Sequence, residues 1–239
     1  MIVYTINSNN YIENLQCPDW VHVITDVEDL GNPIRSSRKD KILCPYKGET
    51  VYVDASKVHL LNDKFLDLSK EIFSNYNLFV MKHPHEHSYL EECAEYVHRG
   101  WVDEQTLFNF TELLKGVYDF TKHFSPLCTI LWRKDTIKFN DMWWKWYNLG
   151  GVRDQLAASA ALQLSDTKYG WKYSRDIINN FSDGSPNGIW WKNKGGSYEY
   201  SSPKDPALFV DKLSKQTGLS KFRYRTRISS KGNLLIGKT

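Results

Sequence analysis

The sequence has few cysteines and no long apolar run. Its four cysteines in 239 residues are widely spaced and form no Cys-x-x-Cys pair, which excludes a disulfide framework. No stretch approaches the roughly 18 consecutive apolar residues of a membrane helix, and the first residues lack the pattern of a secretory signal. We therefore expect reduced, buried thiols, no transmembrane segment and a cytoplasmic location.

Charge is unevenly distributed along the chain. The net charge is +3, with 41% apolar and 25% charged residues, a composition typical of soluble globular proteins. Residues 186–239 contain eleven basic side chains against three acidic ones, a net charge of +8, which leaves −5 for the residues before them. The sequence thus predicts a mildly acidic body with a basic C-terminal quarter that is also rich in aromatic residues.

Short apolar runs alternate with helical patterns in the first three quarters of the chain. The predicted strands, rich in β-branched and aromatic residues, are Ile2–Ile6, Trp20–Thr25, Val51–Asp54 and Leu78–Met81. The predicted helices are Phe65–Asn75, Ser88–His98, Glu104–Leu114 and Arg153–Leu164. Strands separated by helices predict an α/β fold. A turn-rich stretch at 182–188 divides the chain into an α/β domain, residues 1–181, and a basic C-terminal subdomain, residues 182–239, packed on it.

Charged residues surround the third predicted strand. Asp54 ends this strand, so its carboxylate lies at the sheet edge where ligands bind in open α/β folds. There it could ligate a divalent cation or simply cap a turn. The cations just before the strand are Arg35, Arg38, Lys39 and Lys41. Such a cluster suits a clamp on a diphosphate, or an ordinary solvated loop.

Histidines and tryptophans form two further clusters. His83, His85 and His87 alternate, so on an extended segment they would share one side and could bind a transition metal or line a polar cleft. The adjacent Trp143 and Trp144 could stack on a base or a sugar, or pack in the core. The residues alone leave these alternatives open.

A glycine pair precedes the most convincing predicted helix. Gly150 and Gly151 would let the backbone turn and approach a ligand, and Arg153, Asp154 and Gln155 follow in the first helical turn. The helix dipole favours an ionised Asp154 and lowers its pKa, so that the carboxylate could accept a proton or orient a sugar hydroxyl. An ordinary N-terminal aspartate would give the same pattern.

Several of these motifs occur in an order that resembles a known family. In chain order they are Tyr4-Thr5-Ile6, Trp20 to Asp26, Arg38 to Lys41, Val51 to Ser56, Lys82-His83-Pro84 with Tyr89 to Glu92, and Leu131-Trp132-Arg133 with Trp143-Trp144 and Arg153-Asp154-Gln155. Together they resemble the glycosyltransferase-like domain family named for plant mucilage and turgor-regulation proteins, which also has bacterial and viral members. The resemblance covers residues 2–164.

The resemblance implies a GT-A type fold, a Rossmann-like mixed sheet flanked by helices, and a hexosyl- or pentosyltransferase that uses a nucleotide sugar, such as a UDP-sugar. It also implies a site for Mn²⁺ or Mg²⁺ at Asp54. The implied donor-binding residues are Thr25, Asp26, Arg38, Lys41, Asp54 and His83, and the implied catalytic residues are Glu92, Arg153, Asp154 and Gln155. One departure concerns the metal: GT-A enzymes often use an Asp-x-Asp pair, whereas Ala55 and Ser56 follow Asp54.

The basic C-terminal quarter lies outside the resemblance and indicates an anionic acceptor. Arg223, Arg225 and Arg227 alternate, so on a strand they would form one basic face that, with Trp143 and Trp144, contacts the acceptor. The leading prediction is a hydroxymethylated or already glycosylated base in phage DNA, which the enzyme would flip out of the stack, acting in the host cytoplasm.

Other acceptors and one other class of protein also fit the basic quarter. A lipid-linked or lipopolysaccharide glycan at a membrane surface would attract the same charge. A charged edge strand could serve solubility alone. A nucleic-acid-binding protein with a degenerate transferase fold and no turnover stays open as well. Intact Asp54, Arg153, Asp154 and Gln155 favour an enzyme over this last alternative.

Overall fold

A mixed six-stranded sheet organises the computed structural model, which describes residues 1–83, 88–150, 153–181, 206–219, 224–228 and 234–238. The strands are β1 (Ile2–Ile6), β2 (Val21–Ile24), β3 (Thr50–Val53), β4 (Leu78–Lys82), β5 (Pro126–Arg133) and β6 (Gly170–Tyr173). Their spatial order is β2-β1-β3-β5-β4-β6. Only β5 runs antiparallel to its neighbours in this sheet. The predicted α/β class with a mixed sheet is confirmed.

Helices cover both faces of the sheet. They are α1 (Pro33–Leu43), α2 (Asp63–Asn75), α3 (Tyr89–His98), α4 (Glu104–Leu114), α5 (Ile137–Gly150), α6 (Asp154–Leu164), α7 (Ser174–Asn179) and α8 (Pro206–Thr217). Short 3-10 turns occur at Ser8–Asn10, Ala55–Leu60 and Phe120–Lys122. The described helices include none long and apolar enough to cross a bilayer.

Local sequence signals explain where several helices begin. Ser88 and Glu91 form a reciprocal capping box at the start of α3, as the sequence predicts. The side chain of Asn32 accepts hydrogen bonds from two backbone amides of α1, and Pro33 occupies the first turn. Helix α1 was not predicted, because its charged sequence has little amphipathic pattern, although Asn32-Pro33 is a recognisable start signal.

The sheet separates two apolar cores. Alternate side chains of β3 point to opposite faces: Val51 and Val53 pack with α2 and α7, whereas Tyr52 packs with α3 to α6. Trp132 on β5 is fully buried on the α2 side, and its indole N–H donates to Ser69 Oγ at 2.8 Å. The result is a three-layer arrangement that fixes the position of each strand end.

A buried arginine attaches the end of α1 to the sheet. Arg133, at the end of β5, donates from Nη1 to the carbonyl of Ile42 at 3.0 Å and from Nη2 to the hydroxyl of Tyr4. Tyr4 in turn donates to the carbonyl of Asp40 at 3.3 Å. The last carbonyls of a helix have no partner within the helix, so the bond from Arg133 satisfies the carbonyl of Ile42, and the two side chains attach the end of α1 to β5 and β1.

The described part of the C-terminal region contains one helix and one hairpin. Helix α8 packs on α3 and α4, with Phe209 and Leu213 in the same apolar core as the sheet, and Gln216 donates to the carbonyl of Phe108 at 2.8 Å. Strands β7 (Tyr224–Ile228) and β8 (Leu234–Lys238) pair antiparallel. Helix α8 therefore belongs to the main core, and the predicted boundary at 181/182 stays a prediction.

Candidate active site at the carboxyl edge of the sheet

One edge of the sheet carries most of the predicted site. Since β5 alone runs antiparallel to its neighbours, the carboxyl ends of the other five strands lie at this edge. Asp54 follows β3 directly, and His83 follows β4. Helix α6 begins beside them, because Gln155 in its first turn donates from Nε2 to the carbonyl of Pro126, the first residue of β5, at 3.3 Å.

Asp154 forms the centre of the site. Its side chain is 4% exposed, and its Oδ2 lies 2.8 Å from Lys41 Nζ and 3.3 Å from Arg38 Nε. The indole of Trp143 donates to the backbone carbonyl of Asp154 at 2.7 Å and thereby fixes the first turn of α6. A residue that is central to the predicted chemistry is thus held by both its side chain and its backbone.

The cations around Asp154 decide its ionisation. Burial by itself raises the pKa of this carboxyl, but the charges of Arg38, Lys41 and Arg153 outweigh burial and hold the pKa well below its usual range. The same carboxylate raises the pKa of Arg38. Asp154 is therefore ionised at neutral pH. The sequence analysis attributed this ionisation to the helix dipole, whereas in the structure the charges of the nearby cations keep Asp154 ionised.

Lys41 connects Asp154 to a second carboxylate. Its Nζ lies 3.4 Å from Asp54 Oδ1, and the hydroxyl of Tyr52 donates to the same oxygen at 2.6 Å. The ammonium group also lies 5.1 Å from the centre of the Tyr52 ring, and Lys41 is 2% exposed. Helical side chains point toward the N-terminus of their helix and residues three apart share a face, which is why Arg38 and Lys41 converge on the same carboxylate.

Beside Asp154 lies a half-open cavity of about 330 Å³. It is lined by Asn32, Ile34, Arg35, Arg38, Trp101, Tyr147, Asn148, Arg153 and Asp154. Arg35 is oriented by Asn148, whose Oδ1 accepts from Nε at 3.1 Å and from Nη2 at 2.8 Å. Three arginines against one aspartate make this cavity locally cationic, although the body of the chain carries a negative net charge.

Two aromatic side chains form walls of this cavity. The guanidinium of Arg153 lies 4.4 Å from the centre of the Trp101 ring, a cation–π distance, and Trp101 is 38% exposed. Tyr147 packs against Trp144 with ring centres 5.8 Å apart. Sequence reasoning missed Trp101 as a site residue. The Trp-Arg contact joins positions more than fifty residues apart, and no local pattern signals it.

Trp143 requires a correction. It is fully buried in the core and packs against Phe139, so it offers no surface to an acceptor, and the prediction that it contacts the acceptor is wrong. Its role is the support of Asp154 described above. Trp144 is half-buried and remains accessible for the predicted contact.

Gly150, the first glycine of the pair, has a different function from the predicted one. A Cβ added to Gly150 would lie 2.3 Å from the ring of Phe110. The missing side chain thus allows α5 to pack closely on α4, and this replaces the predicted approach to a ligand. Gly151 lies outside the described residues.

Glu92 occupies a buried network and does not line the cavity. Its Oε2 lies 2.7 Å from His123 Nε2, and the hydroxyl of Tyr96 donates to its other oxygen. Tyr96 also lies 3.4 Å from Gln155 Oε1. Burial raises the pKa of Glu92, but the hydrogen bond and charge of His123 outweigh it and lower the pKa overall. This environment suits a residue that positions α6. It suits the catalytic role implied by the family resemblance less well.

The remaining predicted donor residues lie farther from the cavity. Thr25 and Asp26 follow β2, are exposed, and do not line it. Strand β2 is two strands from β3, or about 10 Å. His83 is half-buried, and its backbone amide donates to the carbonyl of Ser125 at 3.0 Å. His85, His87 and Arg223 lie outside the described residues, and of Arg225 and Arg227 only their position on β7 is described.

An aromatic cluster, which sequence reasoning also missed, lies farther along the same edge. Lys82 Nζ lies 4.7 Å from the ring centre of Trp171, 5.2 Å from Tyr173 and 5.8 Å from Phe124. Trp171 is 44% exposed. Because β6 is three strands from β3, Trp171 and Tyr173 lie about 14 Å from the strand that ends at Asp54, and Lys82 on β4 lies about 10 Å from it. Exposed rings next to a cation suit contact with a sugar or a base.

The residues around Asp54 fit a divalent cation poorly. Mn²⁺ and Mg²⁺ prefer several oxygen ligands, and the described residues contain no group of three or more side chains suited to a metal. Asp54 Oδ1 already accepts from Tyr52 and faces Lys41, and Asp154, the second carboxylate beside Lys41, also faces Arg38. An ammonium group thus occupies the space between the two carboxylates.

Comparisons of the chain with protein-family models, with curated proteins and with solved structures found no match. The family resemblance therefore stays a prediction.

Proposed function

We propose that this protein is a glycosyltransferase that uses a nucleotide sugar. The observation that supports this most directly is the cavity in which Arg35, Arg38 and Arg153 surround the buried carboxylate Asp154 at the carboxyl edge of an α/β sheet. Ligand pockets in such sheets lie at this edge, and a volume of about 330 Å³ is within the range of small-molecule sites.

The donor would be bound by its diphosphate and by its rings. Guanidinium groups donate paired hydrogen bonds to phosphate oxygens, and Arg35 and Arg38 lie on the same helix facing the cavity. Arg153 Nε is buried and has no hydrogen-bond partner among the described residues, so a ligand oxygen would satisfy it. Trp101 and Tyr147 would contact the base or the sugar ring.

The reaction would be displacement at the anomeric carbon. The acceptor oxygen forms a bond to this carbon while the bond to the diphosphate oxygen breaks, and the electron pair leaves with the nucleoside diphosphate. Arginine side chains stabilise the negative charge that develops on this leaving group. A carboxylate with so low a pKa is a weak base, so Asp154 would orient a sugar hydroxyl and hold the cations while the proton goes to the diphosphate or to water.

We propose that the acceptor is a hydroxyl on a modified base of DNA. The support is the net charge of +8 in residues 186–239, together with the exposed aromatic cluster around Lys82 and Trp171. Cations attract the phosphate backbone and rings stack on an unpaired base. A lipid-linked glycan or lipopolysaccharide would use the same charges and is the alternative acceptor.

The test is incubation of the 239-residue chain with a panel of nucleotide sugars. Released nucleotide is measured first, and each acceptor is then analysed by mass spectrometry: DNA with hydroxymethylated bases, the same DNA already glycosylated, and lipopolysaccharide. We expect one donor to transfer a sugar residue to DNA. A mass increase on lipopolysaccharide would select the alternative acceptor. Tight, salt-sensitive DNA binding with no release from any donor would reject the enzyme and favour a binding protein.

A further inference from the structure

Lys41 occupies the position between the two carboxylates where a divalent cation would be expected. Its Nζ is 2.8 Å from Asp154 Oδ2 and 3.4 Å from Asp54 Oδ1, and the residue is 2% exposed. The aromatic ring of Tyr52 covers the ammonium group on a further side. A metal ion bound to both carboxylates would have to displace this side chain from a buried position.

The site carries an excess of positive charge without a metal ion. Arg35, Arg38, Lys41, Lys57 and Arg153 supply five positive charges, and Asp54 and Asp154 supply two negative ones, so the site carries +3. A diphosphate that joins a nucleoside to a sugar carries one negative charge on each phosphate. The protein's own cations therefore suffice to neutralise the diphosphate, whereas Mn²⁺ or Mg²⁺ would add two further positive charges.

We propose that Lys41 replaces the divalent cation, so that this site binds a nucleoside diphosphate without a metal ion. The ammonium group holds Asp54 and Asp154 together, and Arg35, Arg38 and Arg153 neutralise the diphosphate in the cavity. This inference rests on the proposed function, since it concerns the donor of that reaction. It replaces the Mn²⁺ or Mg²⁺ site at Asp54 that the family resemblance implies.

The first test measures the binding of UDP to the full chain by isothermal titration calorimetry, once in EDTA and once in MnCl₂. We expect the two dissociation constants to agree within about twofold, and Arg153→Gln to weaken binding about tenfold in both buffers. UDP binding that requires Mn²⁺ would overturn the inference and leave the proposed function standing. If UDP binds in neither buffer, a uridine donor is excluded, the donor panel decides the proposed function, and binding of Mn²⁺ alone decides the role of Lys41.

Binding of Mn²⁺ alone, measured by electron paramagnetic resonance, is independent of any nucleotide. We expect the wild-type chain to bind no Mn²⁺ below millimolar concentration, because Lys41 fills the position. Lys41→Ala removes the ammonium group and should create a site for Mn²⁺, which Asp54→Asn in the same chain should abolish. Lys39→Ala is the matched control, since Lys39 lies on the same helix and pairs with the exposed Glu28. Tight Mn²⁺ binding by the wild-type chain that Asp54→Asn abolishes would overturn the inference even if Lys41→Ala fails to fold.

Discussion

Asp154→Asn tests the centre of the site because it keeps the size of the side chain and removes one charge. Asp154 is 4% exposed and faces Lys41 at 2.8 Å and Arg38 at 3.3 Å, so asparagine leaves two cations with a weaker partner. Breaking a buried pair by removing one partner costs about 3–5 kcal/mol. Arg38 is a quarter exposed and water can replace part of its lost interaction, so most of this cost comes from buried Lys41.

The expected destabilisation converts to a melting shift. A chain of this size loses about 2–4 °C in Tm per kcal/mol, which gives a decrease of roughly 6–20 °C. Domains have unfolding free energies of about 5–15 kcal/mol, so most of that range leaves the variant folded at 25 °C. Differential scanning calorimetry of wild type and Asp154→Asn measures this shift. Asp166→Asn is the control, because Asp166 is exposed and Asn tolerates its positive φ of 52°.

Transfer and donor binding should respond differently to the same substitution. Removing a negative charge makes the cavity more cationic, so UDP affinity should hold or increase. Transfer should fall about 100-fold or more, since Arg38 and Lys41 lose the group that orients them. Two results together would refute this reasoning: a melting temperature within about 2 °C of wild type, and a wild-type transfer rate.

Three further predictions concern pH, packing and the acceptor. The pKa of Asp154 in the folded chain is below its unfolded value of about 3.9, so the carboxylate contributes its full stabilisation above that pH. The difference in unfolding free energy between wild type and Asp154→Asn should therefore be constant from about pH 5 to 8 and decrease below about pH 4. Urea titrations across this pH range measure the difference. Gly150→Ala should destabilise the chain by about 1–3 kcal/mol through contact with the ring of Phe110, and Phe110→Leu should recover part of this loss in a double-mutant cycle. Trp171→Ala should weaken binding of single-stranded DNA by about 1–3 kcal/mol while UDP affinity stays unchanged; equal losses for both would place Trp171 at the donor site.

Much of the fold could be predicted because its signals are local. The boundaries of β1 and α4 agree with those predicted, and the capping box of Ser88 and Glu91 marks the start of α3. These features depend on alternation, on helical spacing and on one capping residue, all of which are visible within a few positions. The position of Asp54 at the end of a strand follows in the same way.

The spacing within α5 could have separated the two tryptophans. Phe139, Trp143 and Trp146 recur at intervals of four and three, which places them on one helical face, and all three are buried. Trp144 and Tyr147 follow one position later at the same interval, and both are half-buried. The sequence analysis treated Trp143 and Trp144 as one unit, whereas assigning each ring to a helical face would have separated them.

The pairing at the centre of the site could not be predicted from the sequence in the same way. Lys41 meets Asp154 across 113 positions, and the contact depends on Arg133 and Tyr4 fixing α1 against the sheet. Trp101 reaches the cavity from the connection between α3 and α4, outside any helix or strand. Such contacts follow from tertiary packing, on which local periodicity carries no information.

Stability alone does not account for the buried charges around Asp154. Replacing a buried ion pair with packed apolar residues is often neutral or stabilising, by about 1–4 kcal/mol, so a fold selected for stability would have little reason to keep one. Here two carboxylates and Lys41 are held together beside three arginines that face an open cavity, and Arg153 Nε lacks a described partner. This arrangement becomes favourable when an anion in the cavity neutralises the arginines and accepts a hydrogen bond from Arg153 Nε. The proposed diphosphate would be such an anion, and a UDP affinity that did not decrease with rising salt would contradict the proposal.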